Sequence, residues 1–305
     1  MDQTETCASA LRALDTIAVL GAGTMGHGIA QVAARAGYQV ILRDVEREAL
    51  SRGLRSIERN LAKGIERGKV TEEEKDLILQ GIRGTTQLEE TIRADLFIEA
   101  APEVMELKQK ILREVEQHAR ADAIFATNTS SLSITEIAVA SAHPQRVVGM
   151  HFFNPVHIMR LVEIVRGRET SDETVETVSH VARRMKKEPI IVKDVPGFAS
   201  SRLGVALGLE AMRMLEQGVA SARDIDTAME LGYNHPMGPL RLTDLVGLDV
   251  RLRIAEYLHG ALRSETFRPP EILRRMVNEG RLGKKSGEGF YKWEDEAEAR
   301  NAHLK

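Results

Sequence analysis

A histidine and a glutamate form the pair of residues in this sequence that is best suited to proton transfer. His151 directly follows an apolar run, 147–150, that we expect to be a strand. Glu163 is the only charge in a second strand-like run, 161–165, and a buried carboxylate is costly unless it has a partner. An imidazole held by a carboxylate is typical of a general acid or base. The pairing favours catalysis over the alternative, a structural histidine in the core.

A glycine-rich turn, GAGTMG, follows the first predicted strand, 16–20, and opens a helical pattern. In a G-x-G-x-x-G turn the first glycine allows the tight bend and the second lets the backbone approach a pyrophosphate. The third lets helix and strand pack closely. We expect a dinucleotide to bind the N-terminus of this helix through the turn residues Gly21, Gly23, Thr24, Met25 and Gly26.

Asp44 ends the second predicted strand, eighteen residues after Gly26. A carboxylate at this place accepts hydrogen bonds from the adenosine ribose and repels a 2′-phosphate, which favours NAD over NADP. Arg43 beside it could hold a 2′-phosphate, which weakens that preference. The alternative is a glycine turn that serves packing alone, with Asp44 as a strand cap. Strand, turn, helix and acid together favour NAD as the cofactor.

Two further predicted strands, 96–100 and 123–127, end in small or polar residues. Because ligands of parallel sheets bind outside the carboxyl ends of the strands, the residues that follow should face the same site. We expect cofactor contacts from Ala101, Glu103, Lys108, Asn128 and Ser130. Hydroxyls before Ile134 also suit a helix cap, so function and capping remain even alternatives for Ser130.

The elements that position these residues alternate between strand and helix up to about Lys193, and only helical patterns follow. We therefore predict an α/β N-terminal domain with a Rossmann-type, doubly wound sheet, followed by an all-α C-terminal domain. The boundaries are 1–14 for a flexible leader, 15–193 and 194–305. Residues 46–82 predict a charged helical hairpin that turns at a Thr71 capping box. Residues 239–262 predict a single helix.

Composition excludes several functional classes. The 305-residue chain has a formal net charge of −3, which gives no bulk attraction to nucleic acid or to an anionic membrane. No apolar run approaches the roughly 18 residues of a membrane span. The single cysteine, Cys7, fits a reducing compartment, and we expect a cytoplasmic protein. The scattered histidines lack metal-ligand spacing, and no G-x-S-x-G motif is present, so we expect neither a metal site nor a serine hydrolase.

From Thr16 to about Trp293 the chain resembles the 3-hydroxyacyl-CoA dehydrogenases. The matching stretches are IAVLGAGTMGHGIA, ATNTSSLSITEIA, GMHFFNPVHIMRLVEIVRG, KDVPGF, HPMGPLRLTDLVGLD and GRLGKKSGEGFYKW. The resemblance implies reversible NAD-linked oxidation of an (S)-3-hydroxyacyl-CoA, of short chain, in a cleft between the two domains. It implies His151 as general base, Glu163 as its partner, and Ser130 and Asn154 as ligands of the substrate oxygen.

The resemblance also implies a homodimer through the helical domain and a hairpin that helps to hold CoA. Lys63, Arg67 and Lys69 are then candidates for CoA phosphates, although solvated surface charge is an equal alternative for each. Ser201 stands before Arg202 where the family usually has an asparagine near the substrate, which puts the acyl-chain specificity in doubt. Two other functions stay open: a related dehydrogenase of gulonate or carnitine type, and a catalytically silent NAD-binding structural protein.

Overall fold

The computed structural model describes residues 14–293. Cys7 and nearly all of the predicted leader therefore lie outside the described residues. The chain divides into two compact units between Val195 and Pro196, two residues beyond the predicted boundary. Among the described residues, no helix is both long and apolar enough to cross a bilayer.

The first unit is built on one eight-stranded sheet. In chain order its strands are β1 (Thr16–Leu20), β2 (Gln39–Arg43), β3 (Ile82–Thr85), β4 (Leu96–Glu99), β5 (Ile124–Thr127), β6 (Val147–Phe152), β7 (Leu161–Arg166) and β8 (Glu188–Lys193). Every residue of β4, β5 and β6 is buried, as expected for central strands covered on both faces. The apolar runs of the sequence thus form the core of this unit.

The strand order is β3-β2-β1-β4-β5-β6-β7-β8, so the order reverses between β1 and β4. Strands β1 to β6 pair in parallel, β7 is antiparallel to β6, and β8 is parallel to β7. This is the predicted Rossmann-type, doubly wound sheet. Ligands of such sheets bind at the crevice where the order reverses.

The helices of the first unit are α1 (Gly26–Arg35), α2 (Arg47–Glu66), α3 (Glu72–Gln80), α4 (Met105–Glu116), α5 (Ile134–Ala138) and α6 (Asp172–Arg184). Thr71 and Glu74 form the predicted capping box at the start of α3. The predicted end of the hairpin was wrong, because Ile82 opens β3. Within residues 14–293 this short strand pairs only with β2, and a four-residue edge strand leaves a weak periodic signal.

The second unit is helical, as predicted, with α7 (Ser200–Glu216), α8 (Ala222–Gly232), α9 (Pro239–Val246), α10 (Leu248–Leu262) and α11 (Glu271–Asn278). The single helix predicted for residues 239–262 was wrong. Gly247 separates α9 from α10 with a φ of 101°, a conformation outside the helical region that glycine adopts at little cost. The apolar pattern runs through this break, which is why the pattern alone did not show it.

Candidate active site

A cavity of about 790 Å³ opens at the carboxyl ends of β1 and β4, where the strand order reverses. Its wall contains residues from five loops or strand ends of the first unit. Of the predicted site residues it includes Gly21, Gly23, Thr24, Met25, Asp44, Ala101, Glu103, Asn128, Ser130, His151 and Asn154. The sheet therefore brings most of the predicted residues to one place.

The glycine turn has the geometry that a dinucleotide needs. Gly21 has a φ of 105°, and a Cβ there would lie 2.8 Å from the Ala100 carbonyl oxygen. A Cβ on Gly26 would lie 1.7 Å from the Gly21 oxygen, so helix and turn pack too closely for any side chain. Gly23 differs, because a Cβ there would meet nothing within 4 Å. It lines the cavity, so glycine there leaves room for a ligand and the turn fits a pyrophosphate.

Asp44 lies just past the end of β2 and also lines the cavity. One carboxylate oxygen accepts a hydrogen bond from the Ala22 amide at 2.8 Å, and the other accepts from the Glu46 amide at 3.0 Å. The side chain therefore holds the glycine turn in place. Each carboxylate oxygen can accept more than one hydrogen bond, so ribose hydroxyls can still bind. The predicted alternatives for Asp44, cap and ligand, are compatible.

A buried ion pair lies at the end of β4. Lys108 on α4 and Glu99 are both fully buried, and the Lys108 ammonium lies 2.9 Å from each Glu99 oxygen. Glu99 also accepts hydrogen bonds from the Thr127 hydroxyl and the Ala101 amide. Lys108 lies behind the cavity wall, whereas the sequence predicted that it contacts the cofactor. It fixes the loops after β4 and β5, since it also contacts the Asn128 carbonyl oxygen at 3.3 Å.

Glu103 organises the polar loop after β5. Its Oε1 accepts hydrogen bonds from the Thr129 hydroxyl at 2.5 Å, the Ser130 amide at 2.9 Å and the Ser131 amide at 3.2 Å. The Ser130 hydroxyl lies 3.4 Å from the same oxygen. Ser133, rather than Ser130, caps α5, because its hydroxyl accepts from the Glu136 amide. Ser130 is thus left at the cavity wall, positioned by a carboxylate.

His151 and Glu163 face each other across an antiparallel strand pair. They are register partners in β6 and β7, and His151 Nδ1 lies 2.7 Å from Glu163 Oε2. Glu163 is fully buried, while His151 is 8% exposed and lines the cavity. The sequence placed His151 just after its strand, which was wrong, since β6 continues to Phe152. Being inside a strand fixes the imidazole more firmly than a loop would.

Two asparagines lie close to the end of this strand: Asn128 follows β5, and Asn154 follows β6. Asn128 Oδ1 accepts a hydrogen bond from the Phe152 amide at 3.0 Å and so fastens the end of β6 to the end of β5. Asn154 is exposed in the turn that follows and lines the cavity. Phe153 stacks obliquely on the imidazole, with ring centroids 4.5 Å apart. The imidazole is therefore held by a carboxylate and an aromatic ring.

Three predicted basic residues and one serine lie elsewhere. Lys63 is exposed in the last turn of α2, and Arg67 and Lys69 are exposed in the turn before α3. Ser201 is partly buried in the first turn of α7, in the second unit. None of the four lines the large cavity.

Sequence reasoning missed the contribution of α4 to the cavity and the role of Glu99. Leu107, Lys110, Ile111 and Glu114 form one wall. Their i, i+3, i+4 and i+7 spacing shows that they share one face of a helix. The spacing does not show which part of the fold that face contacts. Glu99 did carry a signal, because an acid in the buried run LFIE needs a buried hydrogen-bonding or charged partner nearby.

Comparison with known proteins identifies the family. Residues 16–195 match the NAD-binding domain of 3-hydroxyacyl-CoA dehydrogenase, and residues 197–293 match its C-terminal domain. The chain belongs to the 3-hydroxyacyl-CoA dehydrogenase family. It is therefore an NAD-dependent dehydrogenase with an NAD-binding domain that ends at residue 195.

Several family members are similar over nearly their whole length. A probable 3-hydroxybutyryl-CoA dehydrogenase from Bacillus subtilis is 47% identical over 92% of this chain and 97% of its own length. One from Deinococcus radiodurans is 46% identical over 90% of this chain and 99% of its own length. The crystal structure of (S)-3-hydroxybutyryl-CoA dehydrogenase from Ralstonia eutropha is 40% identical and gives a TM-score of 0.89. That similarity covers 92% of this chain and 99% of the other.

Proposed function

We propose that this protein catalyses reversible oxidation of (S)-3-hydroxyacyl-CoA to 3-oxoacyl-CoA, with NAD, and that it favours short chains such as 3-hydroxybutyryl-CoA. The observation that carries the proposal is the His151–Glu163 pair at the wall of the cavity that also holds the glycine turn. The short-chain preference rests on relatives above 40% identity that are named for 3-hydroxybutyryl-CoA.

The proton chemistry follows from the histidine pair. With Glu163 accepting from Nδ1–H, the neutral imidazole has Nε2 as its proton acceptor. Nε2 takes the proton of the substrate 3-hydroxyl, and the buried carboxylate stabilises the imidazolium that forms. Bound NAD supplies the hydride acceptor. In the reverse direction the imidazolium returns the proton to the 3-oxo oxygen.

The substrate oxygen needs donors beside the imidazole. The Ser130 hydroxyl and the Asn154 amide both lie on the cavity wall and can each donate a hydrogen bond. Such bonds hold the oxygen within reach of Nε2 and stabilise the charge that develops on it. The Glu103 carboxylate keeps the Ser130 loop in this position.

NAD and CoA would occupy different elements of the first unit. The turn residues and the Ala101 and Asn128 loops would hold the pyrophosphate and the nicotinamide half of NAD, and Asp44 would hold the adenosine ribose. The pantetheine and nucleotide of CoA extend toward the α2–α3 hairpin, where Lys63, Arg67 and Lys69 are exposed cations. Ser201 is proposed as a contact that shapes the acyl pocket.

We also propose that the protein is a homodimer through its second unit. Large apolar side chains are exposed there, with Leu203 at 72%, Leu231 at 82% and Tyr233 at 76%. Exposed apolar side chains of this size are typical of protein interfaces. Sedimentation equilibrium checks the proposal, and a monomer at micromolar concentration would contradict it. We further propose a cytoplasmic enzyme of fatty-acid metabolism, which fits a chain with one cysteine.

An activity panel tests the proposed function. Purified protein is assayed with 3-hydroxyacyl-CoA esters of rising chain length, with free 3-hydroxy acids, gulonate and carnitine, each with NAD and NADP. We expect the highest kcat/KM with NAD and the four-carbon (S)-ester. A preference for a free acid would instead support a gulonate- or carnitine-type enzyme. NAD binding without turnover of any substrate would support a structural protein.

A further inference from the structure

A second cavity, of about 150 Å³, lies at the C-terminal end of α1 in the first unit. It is lined by residues of α1, the segment before β7 and the segment between α6 and β8. Six of them are basic: Arg35, His157, Arg160, Arg184, Lys186 and Lys187. Of the residues that the structure describes, no acidic one lines it. Two acidic side chains contact cations of the lining: Glu74 lies 3.8 Å from Arg35, and Glu188 lies 3.9 Å from Arg160.

Lys187 is the buried member of this group, with 7% exposure. Its ammonium donates hydrogen bonds to the carbonyl oxygens of Val156 and Met159, and no carboxylate pairs with it among residues 14–293. An ammonium has three donors, so these two contacts leave one. A buried cation without a counter-anion is expensive, and an anion bound beside it would offset part of that cost.

The pKa values of Lys187 and His157 are both lowered, as expected for desolvated basic groups with no carboxylate beside them in the described part of the chain. Burial lowers the pKa of Lys187 to about 8. The pKa of His157 is also lowered, first by burial and then by the positive charges of His27, Lys187 and Arg67. An ammonium beside a carboxylate would show the opposite shift.

The remaining cations differ in how firmly they are engaged. Arg184 donates to the carbonyl oxygens of Ala36 and Gly37 and lies over the Tyr38 ring, so it helps to end α1. The Arg160 side chain is 80% exposed, and among residues 14–293 its one charged contact is with Glu188 at 3.9 Å. Arg160 is therefore placed to change partner when a ligand enters, and Lys187 keeps one donor for that ligand.

We propose that this cavity binds a phosphate group. The volume admits one tetrahedral oxyanion with a few waters, and arginine and lysine are the side chains that bind such a group best. The site is separate from the cofactor pyrophosphate, because the glycine turn is at the N-terminal end of α1 and the cavity is at the C-terminal end. Its phosphate could come from the 3′-phosphate of a CoA ester or from free phosphate.

Isothermal titration calorimetry of inorganic phosphate into the NAD-saturated enzyme tests the site, at constant ionic strength set with chloride. Arg160→Gln and Lys187→Met should each weaken phosphate binding roughly tenfold or more, the value of one charge-assisted hydrogen bond. Arg168→Gln is the matched control, since Arg168 is an exposed arginine just past the other end of β7 that does not line the cavity. Unchanged binding in Arg160→Gln and Lys187→Met, or an equal loss in Arg168→Gln, would overturn the proposal.

A second measurement separates the two sources of phosphate. KM is compared for acetoacetyl-CoA and its 3′-dephospho analogue in wild type and Arg160→Gln. If the substrate supplies the phosphate, Arg160→Gln raises KM for the first ester alone. If free phosphate is the ligand, neither KM moves while the calorimetric loss remains. Calorimetry does not require turnover, so the phosphate site can hold or fail independently of the proposed function.

Discussion

Buried carboxylates in the first unit face cations or an imidazole, whereas Asp244 in the second unit faces neutral donors. Glu99 pairs with Lys108, and Glu163 pairs with His151. Asp244 accepts from two backbone amides, Phe290 and Tyr291, and from the Trp293 indole. These two pairs lie at or behind the cavity wall, while Asp244 fastens residues 290–293. Buried charge therefore fixes the geometry around the cavity in Glu99 and Glu163, whereas Asp244 fastens residues 290–293 to α9.

Asp226, also in the second unit, is another buried acid that accepts hydrogen bonds from neutral donors. Asp226 accepts from the Leu240 amide and from the Tyr291 hydroxyl at 2.7 Å. Burial and this carboxylate raise the pKa of Tyr291, so the phenol stays a donor at any physiological pH. Burial also raises the pKa of Asp244, against the lowering effect of its hydrogen bonds. Neither acid needs a cation, because neutral donors supply its hydrogen bonds.

The largest effect is expected from Glu163→Gln, which breaks the pair closest to the chemistry. An amide keeps the shape but no longer stabilises the imidazolium, so kcat should fall about 10²- to 10⁴-fold. Stopped-flow absorbance of NADH measures turnover, and fluorescence titration should show unchanged NAD binding. Turnover equal to wild type would refute the assigned role of Glu163.

Lys108→Met should affect both stability and activity. It leaves the Glu99 carboxylate buried without its cation, and loss of one partner of such a pair costs about 3–5 kcal/mol. Urea denaturation measures the loss. The double variant Glu99→Gln/Lys108→Met should recover part of it, because no buried charge remains. A double variant as unstable as the single one would show that charge pairing is not the cause.

Asp244→Asn should separate stability from catalysis. The amide nitrogen turns one acceptor into a donor that faces other donors, which should lower the free energy of unfolding by about 2–3 kcal/mol. The folded fraction should keep the kcat of wild type, measured below the unfolding midpoint. A strong loss of kcat at unchanged stability would remove the contrast between the two units.

Asp44→Ala should weaken NAD binding roughly tenfold and NADP binding less, because the repulsion of a 2′-phosphate is lost. The structure gives this test a second possible result. Since Asp44 also holds the Ala22 amide, an equal loss for both cofactors would show that its main role is to hold the glycine turn. Titration with both cofactors distinguishes the two roles.

Ser201→Asn is expected to have the smallest effect, a few-fold change in the ratio of kcat/KM between four-carbon and longer esters. Asparagine reaches further than serine and offers both a donor and an acceptor, so the acyl pocket should be reshaped. A shift in chain preference would give the second unit a part in substrate recognition. No change would leave Ser201 without a specificity role.

The sequence by itself determined the family, the order of elements and the candidate groups. The glycine turn, Asp44 and the histidine–glutamate pair could be found because each depends on local spacing or on an acid inside an apolar run. The capping box at Thr71 is equally local, since its four residues carry both hydrogen bonds. Local rules of this kind can be read from a single chain.

Only the tertiary structure decided where those groups point and what lies behind them. Register put His151 opposite Glu163 inside a strand, and burial turned Lys108 from a predicted cofactor ligand into the counter-ion of Glu99. The edge strand β3 and the break at Gly247 depend on pairing and packing with distant residues. Local periodicity does not report such long-range contacts. The cationic cavity likewise joins segments more than a hundred residues apart, so charge that looked scattered along the sequence is concentrated in space.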